Sequence, residues 1–261
     1  MPFTLTSFCF LPTLSAHMGL QPLGVKLFCM QDKKVYISLY KDAAKYWSKI
    51  PPTVNGMLGG FGFISKTDLE GSSVFLKSLF KIETPPQNIY GLDCGAGIGR
   101  VTKNLLTRFL KRVDLVEQNS KFLEAAKIYL ETSSEKIGEF YPIGLQDFCP
   151  VSTKYDLIWT QWVLGHLRNE DLIRFLKNCV HGLKENGVIV IKENVTSVDK
   201  MDIDTADSSV TRPYGELHKI FKRAGLSCIK EQKQNGMPRG LYPVYMFALR
   251  PQISAANLHE I

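Results

Sequence analysis

The chain has 261 residues, of which 44% are hydrophobic and 22% are charged. These values exclude extensive disorder, and the length suits one sizeable α/β domain or two small domains. Every apolar run is interrupted well before the roughly 18 residues that a membrane-spanning helix needs. Lys and Arg exceed Asp and Glu by 32 to 25. Because the lysines are scattered, the charge of +7 favours a solvated basic surface over a nucleic-acid groove.

Six cysteines are spread singly, without a C-x-x-C pair or a Cys/His cluster at metal-ligand spacing. This pattern predicts no metal site, no disulfide framework and a reducing compartment. Residues 1–31 are apolar and carry no charged side chain apart from Lys26, and they fit no export signal. We interpret them as a poorly ordered extension, with a weak targeting role or a start at Met30 as alternatives.

Residues 32–84 are predicted to form a helical cap. Apolar residues recur at helical spacing from Asp32 to Trp47, and two prolines end the pattern. A glycine-rich stretch at 55–62 predicts a flexible lid, and a helix is expected over 68–80. Three of its apolar residues are expected to face the core: Val74, Phe75 and Leu79.

After residue 85 short β-rich runs alternate with helical patterns. The runs cover 88–93, 112–117, 140–142, 155–159 and 187–193, and a helix at 214–224 precedes two further runs, 226–232 and 242–249. Such alternation predicts an α/β fold with a doubly wound, mostly parallel, seven-stranded sheet. The last two runs predict a C-terminal antiparallel hairpin. Residues 85–250 would then form a Rossmann-like core, and 251–261 a flexible tail.

The first β-run ends in a glycine motif, Asp93-Cys94-Gly95-Ala96-Gly97-Ile98-Gly99-Arg100. Alternating glycines turn the chain against a ligand where a side chain would collide. A nicotinamide fingerprint needs G-x-G-x-x-G, whereas here the third glycine comes one position early. The D-x-G-x-G-x-G form resembles the first motif of class I S-adenosylmethionine-dependent methyltransferases. A glycine-rich turn without a ligand is the alternative.

Three further segments are predicted to lie at the same edge of the sheet. Glu117 ends the second run, where a carboxylate accepts hydrogen bonds from ribose hydroxyls. Leu145 and Gln146 follow the third run and suit an adenine pocket. Residues 159–166 follow the fourth run, beyond the carboxyl end of a parallel strand, where ligands bind in such folds.

Several segments together resemble the eukaryotic protein α-N-terminal methyltransferases. They are 50–60, 92–100, 144–148, 158–167, 189–194 and 207–210, and the resemblance extends over roughly residues 35–250. That family methylates the free α-amine of proteins whose N-terminus reads X-Pro-Lys or X-Pro-Arg. It implies S-adenosylmethionine as cofactor, such protein tails as partners, a monomer without metal, membrane or nucleic acid, and a location in cytoplasm and nucleus.

The resemblance also implies roles for individual residues. The cofactor would contact Gly95, Arg100, Glu117, Leu145, Gln146 and Gln161, with Arg100 pairing with its carboxylate. The peptide would contact Trp47, Leu58, Gly59, Trp162, Asp204 and Tyr242. The catalytic candidates are Asp207, His166 and Asn194. Asp207 and His166 are candidate acceptors of the amine proton, and Asn194 is suited to orient the amine.

Some features leave alternatives open. Glu117 and Glu193 stand where the family commonly has Asp, and Gly240 to Pro243 are altered beside the channel. Trp162 could instead be a core residue, His166 a structural one and Asp202 a solvated charge. A methyltransferase that acts on RNA or a small metabolite is the alternative function, for which binding would weaken steeply with salt.

Overall fold

The structure is a computed structural model that describes residues 39–252. The expected extension at 1–31, the start of the first helix at 32 and most of the expected tail at 251–261 lie outside the described residues. No helix within 39–252 has the length and hydrophobicity that crossing a bilayer requires.

The described chain contains nine strands and seven helices. The strands are β1 Tyr90–Cys94, β2 Arg112–Val116, β3 Ile137–Tyr141, β4 Tyr155–Gln161, β5 Leu183–Thr196, β6 Asp202–Asp204, β7 Ser209–Pro213, β8 Leu226–Lys233 and β9 Val244–Pro251. The helices are α1 39–47, α2 Val54–Met57, α3 Ser65–Leu79, α4 Thr107–Phe109, α5 Ser120–Tyr129, α6 Asn169–Gly182 and α7 Tyr214–Arg223. A π-helical segment, Thr102–Leu106, precedes α4.

The central sheet has seven strands in the order β3-β2-β1-β4-β5-β9-β8. Strands β1 to β5 are parallel, whereas β9 runs antiparallel to β5 and β8 antiparallel to β9. The predicted doubly wound sheet with a C-terminal antiparallel hairpin is therefore confirmed. A second hairpin, β6–β7, was not predicted; it joins the end of β5 through Val195 and Thr196.

Burial explains why these segments form strands. All seven residues of β4 are buried, as expected for a central strand covered on both faces. Its side chains alternate, so that Ile158 packs on the α6 and α7 side and Trp159 on the α3 side. Strand β8, at the edge, instead alternates exposed residues with residues that are partly buried or, at Leu226, fully buried.

Helix α3 presents a single apolar face to the sheet. Phe75, Leu76 and Leu79 are buried in the same cluster as Trp159. The prediction that Val74 faces the core is wrong, because its side chain is 57% exposed. At about 100° per residue Val74 lies about 200° around the helix from Leu76, so it falls outside the face that Phe75, Leu76 and Leu79 share.

The glycine-rich stretch at 55–62 contains regular structure. Thr53 caps α2, because its hydroxyl accepts a hydrogen bond from Gly56 N at 3.1 Å. A 3₁₀ turn, Gly62–Ile64, then leads directly into α3. This arrangement holds Met57 and Leu58 over the edge of the sheet where the parallel strands end.

Candidate functional site

A cleft lies at the carboxyl ends of β1, β2 and β4, and the glycine loop forms its floor. Gly95 and Gly97 have φ values of +72° and +56°, which side-chain-bearing residues rarely adopt. A Cβ at Gly95 would meet Val163 at 2.5 Å, and one at Gly97 would meet the sulfur of Met57 at 2.6 Å. The loop therefore needs glycine both for its conformation and for its close contacts.

Glu117 stands at the end of β2, beside the glycine loop. Its carboxylate oxygens accept hydrogen bonds from Gly97 N at 3.0 Å and Asn119 N at 2.8 Å. Burial raises the pKa of Glu117, and these backbone donors oppose that shift. Each oxygen retains a lone pair, so the carboxylate can still accept hydrogen bonds from a ligand in the cleft.

Arg100 and Gln161 line the cleft near the glycine loop, and Asp68 holds both. Asp68 Oδ2 accepts from Arg100 Nη1 at 2.8 Å, and Asp68 Oδ1 accepts from Gln161 Nε2 at 2.8 Å. The Arg100 guanidinium also lies 5.8 Å from the centre of the Trp162 ring. Asp68 was not among the predicted site residues, although an acidic side chain among the apolar residues of an amphipathic helix indicates a buried partner.

The opposite wall of the cleft follows β3. Ile143 and Leu145 supply apolar surface, and the backbone carbonyl of Gln146 accepts a hydrogen bond from Arg174 at 3.1 Å. All six predicted cofactor contacts line this one cleft: Gly95, Arg100, Glu117, Leu145, Gln146 and Gln161. Their individual roles stay predictions.

Helix α1 covers the cleft. Tyr40 OH donates to Asp171 Oδ2 at 2.5 Å, and Trp47 Nε1 donates to His166 Nε2 at 3.0 Å. Tyr40, Ala43 and Trp47 all line the cleft. Tyr40 was not among the predicted site residues, because its partner is 131 positions away in the chain.

A second cleft opens beside the first, between α2, the β5–β7 junction and the loop before β9. Its lining includes seven of the predicted substrate and catalytic residues, namely Trp47, Leu58, Tyr242, Trp162, His166, Asn194 and Asp207. Four residues line both clefts: Trp47, Met57, Trp162 and His166. A group in one cleft would thus lie next to a group in the other.

Trp162 adopts an uncommon conformation at this junction. Its φ is +53°, which is unusual for a bulky residue and often marks a functional constraint. Trp162 Nε1 donates to Asn194 Oδ1 at 3.1 Å. Glu193 holds the next turn, because its Oε1 accepts from Val163 N and Leu164 N, both at 2.8 Å. Full burial raises the pKa of Glu193 to about 7.

His166 is neutral in this setting. Its Nε2 accepts the Trp47 hydrogen bond, so the ring proton resides on Nδ1, which is buried and has no partner among the described residues. Burial lowers the pKa of His166, and the nearby Asp207 carboxylate partly opposes this shift. The structure therefore presents His166 as a hydrogen-bond donor.

The acidic residues of the β6–β7 hairpin take different positions. Asp207 lines the second cleft, and its Oδ1 accepts from Ser209 N at 3.0 Å. Asp202 accepts a hydrogen bond from the Tyr242 hydroxyl. Asp204 is exposed and is not among the residues that line the cleft, and the same holds for Gly59. The structure thus does not bring these two predicted substrate residues into the cleft wall.

Comparisons with known proteins decide the family. Residues 36–250 match the family model of AdoMet-dependent proline di-methyltransferases. The chain belongs to this family. This methyltransferase is 47% identical over 213 residues to the Xenopus tropicalis N-terminal Xaa-Pro-Lys N-methyltransferase 1, covering 81% of this chain and 95% of that one. It is 48% identical over 215 residues to the Drosophila melanogaster alpha N-terminal protein methyltransferase 1, covering 81% and 76%.

Solved structures agree with this assignment. A SAM-dependent methyltransferase of Leishmania major superposes on the enzyme with a TM-score of 0.77 and 36% identity, covering 81% of this chain and 83% of that one. A Haemonchus contortus phosphoethanolamine N-methyltransferase 1 superposes with a TM-score of 0.65 at 19% identity, covering 84% and 50%, and this match supports the fold alone. The predicted cofactor, S-adenosylmethionine, and the predicted enzyme class are confirmed.

The first cleft fits S-adenosylmethionine. The glycine loop leaves room for a close approach, Glu117 offers free acceptor positions to ribose hydroxyls, and Arg100 offers a cation to the carboxylate. Leu145 and Ile143 would provide an apolar wall for the adenine. Within residues 39–252 no group of three or more His, Cys, Asp or Glu side chains is arranged to hold a metal ion.

Proposed function

We propose that this methyltransferase modifies the free α-amine of protein N-termini that read X-Pro-Lys or X-Pro-Arg. The observation that carries the proposal is the junction of the two clefts, where Trp162 borders both and Asn194 and Asp207 line the second. The names of the relatives in Xenopus and Drosophila support it. One cleft holds the methyl donor, and the other is open to a chain terminus.

The wall of the second cleft suits a proline in the second position. Trp162 and Leu58 offer apolar surface to the pyrrolidine ring. Proline lacks a backbone N–H, so its burial here leaves no donor without a partner. A residue with an N–H at this position would require an acceptor on the apolar wall, and burial without one costs roughly 1–3 kcal/mol.

The acidic hairpin suits the basic third residue. Asp202 and Asp207 lie on or beside the β6–β7 hairpin, in a chain whose net charge is +7. A local concentration of carboxylates attracts Lys or Arg, and it repels an acidic residue at the same position.

Asp207 is the proton acceptor in this proposal. An α-amine has a pKa of about 8, so roughly a tenth is already neutral at pH 7. His166 already carries a proton on Nδ1, and its Nε2 is engaged by Trp47. Asp207 therefore remains to receive the amine proton. Asn194 Oδ1 orients the amine by accepting a hydrogen bond from one of its N–H groups.

Positioning supplies most of the remaining catalysis. S-adenosylmethionine, when bound, supplies a methyl group that its sulfonium already activates for transfer. The protein has to hold the amine in line, and correct placement of two reactants is worth about 7–11 kcal/mol. The hydrogen bond between Trp162 and Asn194 fixes two sides of the junction for this purpose.

A peptide panel tests the proposal. An X-Pro-Lys-Arg peptide, its N-acetylated copy, a Pro→Gln copy and a Lys→Glu copy are incubated with the enzyme and S-adenosylmethionine, and methyl addition is measured by mass spectrometry. We expect the free X-Pro-Lys-Arg peptide to be methylated much faster than the other three. Equal rates on the acetylated copy, or no reaction with any peptide despite cofactor binding, would refute the proposal and favour RNA or a metabolite.

We also propose a cellular location and an oligomeric state for the protein. We place it in cytoplasm and nucleus, because singly spread cysteines suit a reducing compartment. We also propose that it acts as a monomer, as the resemblance to the protein α-N-terminal methyltransferases implies. Fluorescence microscopy of the tagged protein and light scattering in solution test these two statements, and exclusion from both compartments or a dimer mass would reject them.

A further inference from the structure

A cluster of charged side chains is buried behind the cofactor cleft. Asp68 is its centre, because the carboxylate that holds Arg100 and Gln161 also lies 2.5 Å from Lys192 Nζ. Lys192, on β5, is fully buried and does not line either cleft. A single carboxylate thus connects two side chains of the cleft wall to a cation one layer behind them.

The hydrogen bonds around Lys192 require its charged form. Nζ donates to the Asp68 backbone carbonyl at 2.9 Å, to Ser72 Oγ at 2.8 Å and to Gln234 Oε1 at 2.8 Å. Ser72 Oγ donates its own proton to the Asp68 carbonyl, so it can only accept from Lys192. Burial lowers the pKa of Lys192 and Asp68 opposes that shift, but this set of acceptors needs the three protons of an ammonium.

The hydrogen-bonded group of Asp68, Arg100 and Lys192 carries one positive charge in excess. The buried Asp93 carboxyl also interacts electrostatically with Arg100, but it accepts its hydrogen bond from Thr102 and is not bonded to this group. Arg100 and Lys192 are cations, Asp68 is the anion between them, and all three are buried. An uncompensated buried charge is strongly unfavourable. Arg100 is also the only Lys or Arg among the described residues that line the cofactor cleft. The excess charge can therefore be neutralised from the cleft, by an anionic group of the ligand.

We propose that Lys192 is a positioning residue: by sharing Asp68 with Arg100, it leaves the Arg100 guanidinium free to attract the carboxylate of S-adenosylmethionine, a pairing that the family resemblance already implies. Without Lys192, Asp68 would be left to neutralise Arg100 alone, which would weaken the attraction of Arg100 for a carboxylate in the cleft. With Lys192 present, Asp68 is shared between two cations, and Arg100 retains its attraction for a carboxylate. The cofactor has no other anionic group.

Two ligands that differ only in the carboxylate test this proposal. Titration calorimetry is run with S-adenosylhomocysteine and with S-adenosyl-3-thiopropylamine, which is the same molecule without its carboxylate. We expect Lys192→Met to weaken S-adenosylhomocysteine about tenfold and to change the carboxylate-free ligand less than about twofold. Lys192→Gln, whose amide can donate two hydrogen bonds among the same acceptors, gives the same comparison should the methionine variant fail to fold.

Lys184→Met is the matched control, since it removes a partly buried cation from the opposite end of β5, where Lys184 pairs with Asp156 at 3.4 Å. It should leave the ratio of the two affinities unchanged. An equal loss for both ligands in the Lys192 variants would show a purely structural role, and no loss would show that the charge is not sensed; either result overturns the proposal. No methyl acceptor is needed, so the outcome does not depend on the proposed substrate.

Discussion

At the scale of single residues, Asp207 and His166 differ in whether they can accept a proton. Asp207 is a carboxylate on the wall of the second cleft, whereas His166 is held by Trp47 in a neutral form. The two catalytic candidates named from the sequence therefore have different proposed roles. Asp207 receives the proton, and His166 donates a hydrogen bond at the junction.

Asp207→Asn should lower kcat about 100-fold, because the amide cannot accept the amine proton. Initial rates with a saturating X-Pro-Lys peptide measure this effect. Asp199→Asn is the control, because Asp199 is exposed on the loop after β5 and its substitution removes the same negative charge. The assignment is wrong if Asp207→Asn keeps more than half of the wild-type kcat.

Trp47→Phe should raise the pKa of His166. The indole donates a hydrogen bond to Nε2 that only the neutral ring can accept, so its loss makes protonation easier. NMR titration of the histidine signals measures the shift, and the exposed His181 serves as the internal reference. An unchanged or lower pKa in the variant would contradict the tautomer assigned to His166.

At the scale of elements, helix α1 covers the cofactor cleft and is fixed near both ends by hydrogen bonds. Its first described turn is held by Tyr40 and its last by Trp47, each through a hydrogen bond to the segment 164–171. Asn119 Nδ2 also donates to the Trp47 carbonyl at 3.3 Å. Loosening one end should therefore affect ligand retention more than overall folding.

Tyr40→Phe removes the hydroxyl that donates to Asp171 and should speed dissociation of S-adenosylhomocysteine several-fold. The lost hydrogen bond to a charged group is worth about 1.5–3 kcal/mol. Stopped-flow displacement measures the rate, and Tyr46→Phe on the same helix is the matched control. Equal dissociation rates in wild type and Tyr40→Phe would show that this end of α1 does not retain the ligand.

Some elements could be predicted from the sequence and others could not. The central strands and the glycine loop are encoded locally, so β1, β4 and Glu117 were placed correctly. Strand β6 was missed because all three of its residues are exposed and it has no apolar alternation to detect. Helix α2 and its Thr53 cap were not predicted, because glycine content indicates flexibility at 55–62 and does not reveal a capped helix.

Contacts between distant segments could not be predicted. Asp68 and Arg100 are 32 positions apart, and only the packing of α3 against the sheet brings them together. The resemblance to a known family named the residues of the clefts, but the supporting residues Asp68, Tyr40 and Lys192 emerged only from the fold. Asp204 and Gly59 show the converse, because proximity in sequence to Asp207 and Leu58 does not place them in the cleft.

At the scale of the whole molecule, the buried carboxyl of Glu193 makes stability depend on pH. Burial raises its pKa from 4.5 to about 7 in the folded protein. Between these values the folded state binds more protons than the unfolded state, so the contribution of Glu193 to stability falls as pH rises. The burial of Asp93, which raises its pKa to about 6, acts in the same direction.

Glu193→Gln should remove this dependence, because the amide stays neutral and still accepts from Val163 N and Leu164 N. Between pH 5 and pH 8 the variant should gain about 1–3 kcal/mol relative to wild type. Urea unfolding at the two pH values measures the difference, with Glu139→Gln on the exposed face of β3 as control. A constant difference at both pH values would show that Glu193 does not titrate in this range.

In the proposed function, the junction of the two clefts selects an α-amine. An X-Pro-Lys-Arg peptide offers two kinds of amine, the α-amine and the lysine ε-amine, to the same enzyme. Tandem mass spectrometry of the methylated product locates each methyl group, and its mass gives the number added. We expect every methyl group on the N-terminal fragment and none on the lysine. Methylation of the lysine side chain would contradict it.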